Sequence, residues 1–520
     1  MNKQNQKNKF IYIYVFVLLS ILLISLRKYI LSNFKLVTFE QLLYSTINTE
    51  GASASSITDG VKYIFIHVFF GIIIFSLFIF LNKKYKKNLS IKLNFNYNKK
   101  VNKQIILFPC KFHIKTYLII FIISLIYFLN GIGFFGYIKN RFTDSSFYEK
   151  NYVHPNDIKI TFPEKKQNLI YIFLESMENS VLSKENGGTV EKSYTPELEE
   201  LALNNINFSH NNKIGGPFQV NNTGWTIAAM VAHTSGVTLN TMNIDGNYYG
   251  SFSKFLPGVK SIGDILSENG YINYFMLGSD SKYGGRKDYF GQHGHYYIYD
   301  YYTAVEKNKF NNYYVWWGYE DKKLFEYAKE ELLKLSDGAQ PFNFTMLTVD
   351  THFTDGYLDE TCERPFDSRY ANVFNCSSNM VYEFITWIQE QDFYENTTIV
   401  LVGDHLTMQS NFFDESNNYQ RTTYNTFINS RIDTEYNKNR EFSTLDMFPT
   451  TLASLGVELE GDRLGLGTNL FSGKKTLIEK YGLDYVNKEV LKSSEFYNNN
   501  LLGESYYEIL EKNKEEKDGK

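Results

Sequence analysis

Net charge is almost absent: the chain carries a formal −4 over 520 residues. Basic residues dominate no soluble stretch, so nothing in the charge balance argues for a nucleic-acid partner. Charge is missing altogether from three apolar runs, residues 10–26, 63–81 and 117–138. Each approaches the ~20 residues needed to cross a bilayer, and soluble helices seldom stay apolar on every face for so long. Three membrane spans are therefore predicted. Arg27 and Lys28 follow the first run where small cleavage-site residues would be expected, which favours an uncleaved anchor over a signal peptide. Acidic residues are missing from residues 82–115, which hold Lys83, Lys84, Lys86, Lys87, Lys92, Lys99, Lys100, Lys103, Lys111 and Lys115. The positive-inside rule puts this loop in the cytoplasm and everything after residue 138 outside it. Cysteine is scarce, with three in the chain. Cys362 and Cys376 fall on the outer side, where an oxidising compartment lets them pair, while Cys110 sits in the basic inner loop and stays a thiol.

What is present after the spans has a different pattern. Residues 141–167 are polar and irregular, with Pro155 and Pro163, and read as a linker between an anchor, 1–140, and a domain spanning 168–473. Nearly continuous apolar runs at 168–174, 272–277, 342–349 and 397–402 are the signature of parallel strands buried on both faces. Helical patterns near 195–203, 321–335 and 378–389 separate them, so the fold class is a three-layer α/β domain behind transmembrane helices. The remainder, 474–520, is rich in Lys, Glu, Tyr and Asn and reads as a charged, solvated extension without chemistry.

In such sheets ligands bind beyond the carboxyl ends of the strands. That rule selects Glu175, 278–280, Asp350 with His352, and Asp404 with His405. Glu175 and the Asp404–His405 pair offer hard oxygen and imidazole donors at one sheet edge, a set that suits a divalent metal. The segment 215–236, GGPFQVNNTGWTIAAMVAHTSG, supplies a loop entering a helix around Thr223. A threonine there is commonly a plain helix cap. Facing a metal, its alkoxide would be favoured by both the ion and the helix dipole and would attack phosphorus.

The segments LESMEN, NNTGWTIAAMVAHTSG, LGSDSKYGGRKDYFGQHG, WGYEDKKLF, TVDTHF, VLVGDH, STLDMFPTTLASLG and RLGLGTNLF occur in this order over residues 167–472. Together they resemble the phosphoglycerol transferase I and lipoteichoic acid synthase group of the alkaline phosphatase and sulfatase superfamily. The preceding anchor, with its TFEQLL loop, is similar in kind. The resemblance implies a metal held by Glu175, Thr223, Asp404 and His405, with Thr223 as nucleophile, because the count to the glycine ending the next helix favours it over Thr226. It implies phosphoglycerol contacts at Arg286 and His352. One divalent ion is expected, manganese by preference, although the donors also tolerate magnesium or zinc. Where lipoteichoic acid synthases place a Trp two residues before the Arg, this chain has Gly284, which points to the phosphoglycerol transferase branch, as does CERPFDSRYANVFNC between Cys362 and Cys376.

The expected reaction is two displacements at the outer face of the cytoplasmic membrane. Phosphoglycerol passes from a phosphatidylglycerol donor to Thr223 with loss of diacylglycerol, then to a glycan acceptor hydroxyl. A formylglycine sulfatase would need Cys or Ser in a Cys/Ser-x-Pro-x-Arg setting, and Thr223-Gly-Trp-Thr-Ile offers neither. His293 and His295 in GQHGHYY would be needed for a second metal, but loop packing is the simpler use. A phosphoethanolamine transferase shares the lipid donor and threonine chemistry, usually with more histidines and disulfides. A non-catalytic binding module would be betrayed by a missing ligand, and none is missing.

Overall fold

The computed structural model describes residues 3–33, 38–47, 54–85, 89–97, 99–108, 114–240, 255–409, 412–413 and 419–502. It divides into two compact units, residues 1–35 with 54–135 and residues 36–53 with 136–520.

The first unit is built on helices α1 (Lys3–Asn33), α3 (Ala54–Tyr85) and α4 (Ile114–Gly131); α2 (Phe39–Ile47) belongs to the second unit. Their segments Phe10–Ser32, Gly60–Leu81 and Ile114–Gly131 are long and apolar enough to cross a membrane. Ile13, Ile79 and Tyr117 make a small internal core, and Tyr14 donates to Ser76 Oγ at 3.3 Å. The third apolar helix is shorter than its run in the sequence suggests. It stops at Gly131, and Gly133 takes a left-handed φ of 77° before a separate helix begins at Phe134. The backbone turn, which the apolar count does not register, sets the end. Part of the basic loop forms an antiparallel pair, Leu89–Tyr97 with Lys99–Phe108; Cys110 lies outside the described residues.

The second unit holds a six-stranded sheet. Its strands are β1 (Asn168–Leu174), β2 (Ile272–Leu277), β3 (Tyr297–Tyr299), β4 (Phe342–Leu347), β5 (Thr397–Gly403) and β6 (Asn425–Ile428). The order is β3-β2-β4-β1-β5-β6, parallel except for β6. The period of two sends alternate side chains into two cores. Ile170, Ile172, Leu174, Met346 and Leu401 pack with the helices Pro196–Asn204, Asp321–Ser336 and Arg369–Gln389. Leu169, Tyr171, Phe173, Val400 and Val402 pack with the helices Thr226–Ser235, Ile262–Glu268 and Met447–Ser454. Both faces are covered, which makes three layers.

Two boundaries differ from the sequence reading. The stretch expected as a free linker buries Phe147 and Tyr148 in the second core, and Tyr148 Oη exchanges a hydrogen bond with Thr238 Oγ1 at 2.8 Å. The stretch expected as a solvated extension supplies Leu477, Ile478, Val486, Val490 and Leu501 to that same core. Its helices, Leu477–Tyr481 and Leu483–Val490, are short, so their few apolar residues disappear in a charged average.

Candidate active site

β1 and β5 pair in register, Leu174 opposite Gly403. The next residue of each, Glu175 and Asp404, therefore emerges side by side at the carboxyl edge, followed by His405. Backbone amides fix them. The Asp404 N–H donates to Leu174 O at 3.1 Å. Oδ1 of Asp404 accepts from Ser176 N–H at 2.8 Å and from His405 N–H at 2.7 Å. Glu175 Oε1 accepts from Ser176 Oγ at 2.7 Å, and the Glu175 N–H donates to Thr348 Oγ1 at 3.0 Å. His405 Nδ1 donates to Leu406 O at 2.9 Å, which selects the tautomer whose Nε2 lone pair faces the carboxylates. That nitrogen lies 3.4 Å from Asp404 Oδ2 and 3.5 Å from Glu175 Oε1.

One donor atom from each of Glu175, Asp404 and His405 falls within a 4.8 Å sphere of the others, and all three residues are buried. Asp404 Oδ2 and His405 Nε2 have no hydrogen-bond partner among the described residues. Buried polar atoms are rarely left so, and two carboxylates beside an imidazole lone pair fit a divalent cation. Electrostatics agree. Burial, reinforced by Glu175, pushes the Asp404 carboxyl up to about 7. Burial also works against the Glu175 charge, yet the neighbouring His405 and His352, the Ser176 hydroxyl and Arg286 favour it and hold the carboxyl below its ordinary value. For His405 burial disfavours the charged form, and the two carboxylates outweigh it and raise its pKa.

The helix expected to begin around Thr223 begins at Thr226, after Trp225 in an extended conformation (φ −145°, ψ 157°). The threonine hydroxyl that meets the acidic group is accordingly that of Thr226, whose Oγ1 donates to Glu175 Oε2 at 3.4 Å. Thr223 Oγ1 instead donates to Val220 O at 2.8 Å and accepts from Thr444 Oγ1 at 3.4 Å. The structure thus gathers Glu175, Asp404 and His405 into one group, while the hydrogen bonds of the Thr223 hydroxyl go elsewhere. Thr226, which the residue count set second, is the threonine that opens the helix.

Arg286 and His352 flank the group. Gly284 and Gly285 both take left-handed φ, 68° and 77°, a turn glycine makes without strain, and Arg286 starts the next helix, Arg286–Gln292. Its Nη2 donates to Asp280 O at 2.7 Å, its guanidinium sits 5.5 Å from the Tyr283 ring centroid, and Nε has no partner among the described residues. Burial pulls its pKa down. His352, lowered by burial, donates through Nδ1 to Phe353 O at 2.6 Å. Trp317 contacts both the His352 ring, at 4.7 Å, and the Tyr283 ring, at 5.2 Å, the latter beside Arg286. The sequence reading quoted WGYEDKKLF without giving its Trp a place; no spacing rule links it to the site. His293 is engaged in packing, with Nδ1 3.2 Å from Asp264 Oδ2 and Nε2 2.6 Å from Phe255 O. Cys362 and Cys376 are joined by a disulfide, Cα–Cα 5.6 Å.

Comparison with known proteins places this arrangement. The chain is 32% identical over 326 residues to phosphoglycerol transferase I of Escherichia coli O6:K15:H31 (strain 536 / UPEC), covering 60% of this chain and 40% of the relative. It is 30% identical over 315 residues to phosphoglycerol transferase I of Xanthomonas campestris pv. campestris (strain B100), covering 59% and 43%. The chain thus spans less than half the length of these relatives. Among solved structures it is similar to the lipoteichoic acid synthase LtaP from Listeria monocytogenes, at 17% identity and TM-score 0.47 over 61% of this chain and 82% of that one. It is also similar to the integral membrane protein lipooligosaccharide phosphoethanolamine transferase A (EptA) from Neisseria meningitidis, at 14% identity and TM-score 0.49 over 86% and 84%. The sulfatase family profile matches residues 167–457, more than half of the chain, and the chain belongs to that family.

Proposed function

We propose that this protein transfers phosphoglycerol from phosphatidylglycerol to a glycan hydroxyl at the outer face of the cytoplasmic membrane. The observation that carries the reading is the buried Glu175–Asp404–His405 group with two unpartnered donor atoms, bordered by threonines, an arginine and a histidine. The relatives named phosphoglycerol transferase I support phosphoglycerol as the group transferred. The lysine-rich segment between the second and third apolar helices supports a multi-pass anchor with the catalytic residues outside the cytoplasm.

Thr223 is the proposed nucleophile. Its Oγ forms a bond to phosphorus as the bond from phosphorus to the diacylglycerol oxygen breaks, and that oxygen leaves as the alcohol with a proton. The acceptor hydroxyl then attacks the same phosphorus, loses its proton, and Thr223 Oγ departs. Glu175, Asp404, His405 and Thr223 would hold a divalent metal, manganese first among Mn, Mg and Zn, which when bound would neutralise phosphoryl charge and favour the threonine alkoxide. Arg286 offers a planar cation to the phosphate oxygens, and His352, whose burial favours the free base, can take the proton of the attacking hydroxyl and return it to the departing oxygen. For Thr223 to attack, its hydroxyl must give up the hydrogen bond to Val220 O, a net cost of about 1 kcal/mol. A second reading makes Thr226 the nucleophile, favoured by its 3.4 Å contact with Glu175.

The test is release of labelled diacylglycerol from phosphatidylglycerol by the purified full chain with added divalent metals, alongside mapping of the phosphoglycerylated peptide. Release that needs metal and vanishes in Thr223→Ala, with the label on Thr223, is the expected result. Loss in Thr226→Ala with label on Thr226 would transfer the role three residues on. Intact phosphatidylglycerol throughout would sink the donor assignment, and phosphatidylethanolamine would be tried in its place.

A further inference from the structure

α2 comes from the segment between the first two apolar helices, yet it packs within the second unit. Its start is encoded locally. Thr38 Oγ1 accepts from Gln41 N–H at 3.2 Å, and the Leu42 N–H donates to Thr38 O at 3.1 Å, the N-terminal half of a capping box. A helix of nine residues is marginal in water, so tertiary contacts must hold it. They come from one face, where Glu40, Gln41 and Tyr44 are all buried, Tyr44 to 1% and Glu40 to 2% exposure.

That face touches two turns and joins them. The Glu40 carboxyl lies against the Asn222 side chain and meets no other polar partner among the described residues. Gln41 Nε2 reaches Gly224 O at 3.5 Å. The Tyr44 ring packs on Trp225 at 5.7 Å, and its hydroxyl donates to Gly284 O at 2.6 Å. Asn222, in a left-handed conformation with φ 62°, immediately precedes Thr223, and Gly284 stands two residues before Arg286. Burial raises the Glu40 carboxyl to about 7, with Asn222 opposing the rise, so the group has a neutral form able to sit beside an amide without a counter-charge.

We propose that α2 is part of the active site: it ties the turn that presents Thr223 to the turn that presents Arg286, with Glu40 and Tyr44 as positioning residues. The inference rests on the transferase reading for its activity readout, and a second readout frees it from that reading. Misplacement of reacting groups by about 1 Å can cost on the order of 100-fold in rate, so loss of the tie should lower kcat far more than it raises KM.

The experiment uses the purified full chain carrying Glu40→Ala, Glu40→Gln, Tyr44→Phe, or Ser45→Ala as an exposed control on the same helix. Diacylglycerol release, metal affinity, thermal melting and hydrogen exchange of the 222–226 and 283–286 turns are followed for each. Glu40→Ala should lose about 100-fold and Tyr44→Phe about tenfold in kcat, with KM for phosphatidylglycerol and metal affinity within about twofold of wild type. Glu40→Gln, which keeps the shape and a polar group beside Asn222, should recover most of the loss. Exchange in both turns should quicken in Glu40→Ala and stay unchanged in Ser45→Ala. If turnover and exchange are both unaffected while the protein is active, α2 is only a connector and the proposal fails. If Glu40→Gln is as inactive as Glu40→Ala with exchange unchanged, Glu40 acts chemically and the positioning role is overturned. If wild type releases no diacylglycerol yet both turns loosen in Glu40→Ala, the donor assignment fails and the positioning role stands.

Discussion

The two units place the same kinds of side chain in opposite settings. In the helical unit Phe65 and Ile74 are 68% and 66% exposed, whereas Ile172 in β1 of the sheet unit is fully buried. Conversely, Glu175, Asp404, His405 and Arg286 are all buried in the sheet unit. Each mismatch names a partner by its chemistry. Apolar surface presented outward around a helix suits lipid, and buried charge gathered at a strand edge suits a metal and a phosphate.

The sharpest way to break this comparison is at the buried charges. Asp404→Asn or Glu175→Gln should cost on the order of 1,000-fold in diacylglycerol release, since several kcal/mol of charge stabilisation disappear at about 1.4 kcal/mol per factor of ten. The protein should still melt cooperatively, because a neutral isostere relieves desolvation. If activity survives at a tenth of wild type, the group is structural. The next largest effect is on stability. Ile172→Ala should destabilise the sheet unit by about 2–5 kcal/mol, while Ile74→Ala, facing outward, should leave melting in detergent nearly unchanged. Equal costs would mean that the exposed face of α3 is covered by protein.

This contrast also explains what could be read beforehand. Strands β1, β2 and β5 announce themselves because a parallel strand covered on both faces must be apolar throughout, and the first residues beyond β1 and β5 then fall at the edge where Glu175, Asp404 and His405 meet. The three long apolar helices are legible for the same reason. Less visible are elements whose role depends on a distant surface. Glu40 and Gln41 look like solvated residues of a loop until Asn222 and Gly224 are seen beneath them. Leu477 and Val486 are too few in a charged stretch to signal a core. Thr226 and Thr223 differ only in where the backbone turns into the helix, which capping patterns locate to within a few residues at best.

The disulfide tests a smaller part of the same unit. Cys362 and Cys376 are 14 residues apart, and closing a loop of that size stabilises by about 3 kcal/mol in the chain-entropy account. Cys362→Ser with Cys376→Ser should lower stability by up to that amount while leaving diacylglycerol release at 25 °C within about twofold, because neither residue belongs to the acidic group. A loss of activity equal to that of Asp404→Asn would tie the 362–376 segment to substrate instead.

The smallest expected effect concerns protons and metal. In the metal-free protein Asp404 is pushed up to about 7 by burial and by Glu175, and His405 is raised by its two carboxylates. Both must be deprotonated to ligate, whereas Glu175, held low, is already ionised there. Metal affinity should therefore rise with pH through about 7 and level off above the two groups' raised pKa values, changing by about tenfold per unit for each proton displaced. Calorimetric titration with manganese from pH 5.5 to 8.5 measures this directly, and Asp404→Asn should flatten the part of the slope due to the carboxyl. An affinity independent of pH across that range would mean that the carboxyl and the imidazole are not the donors, and the buried charges of this unit would then need a partner other than a metal.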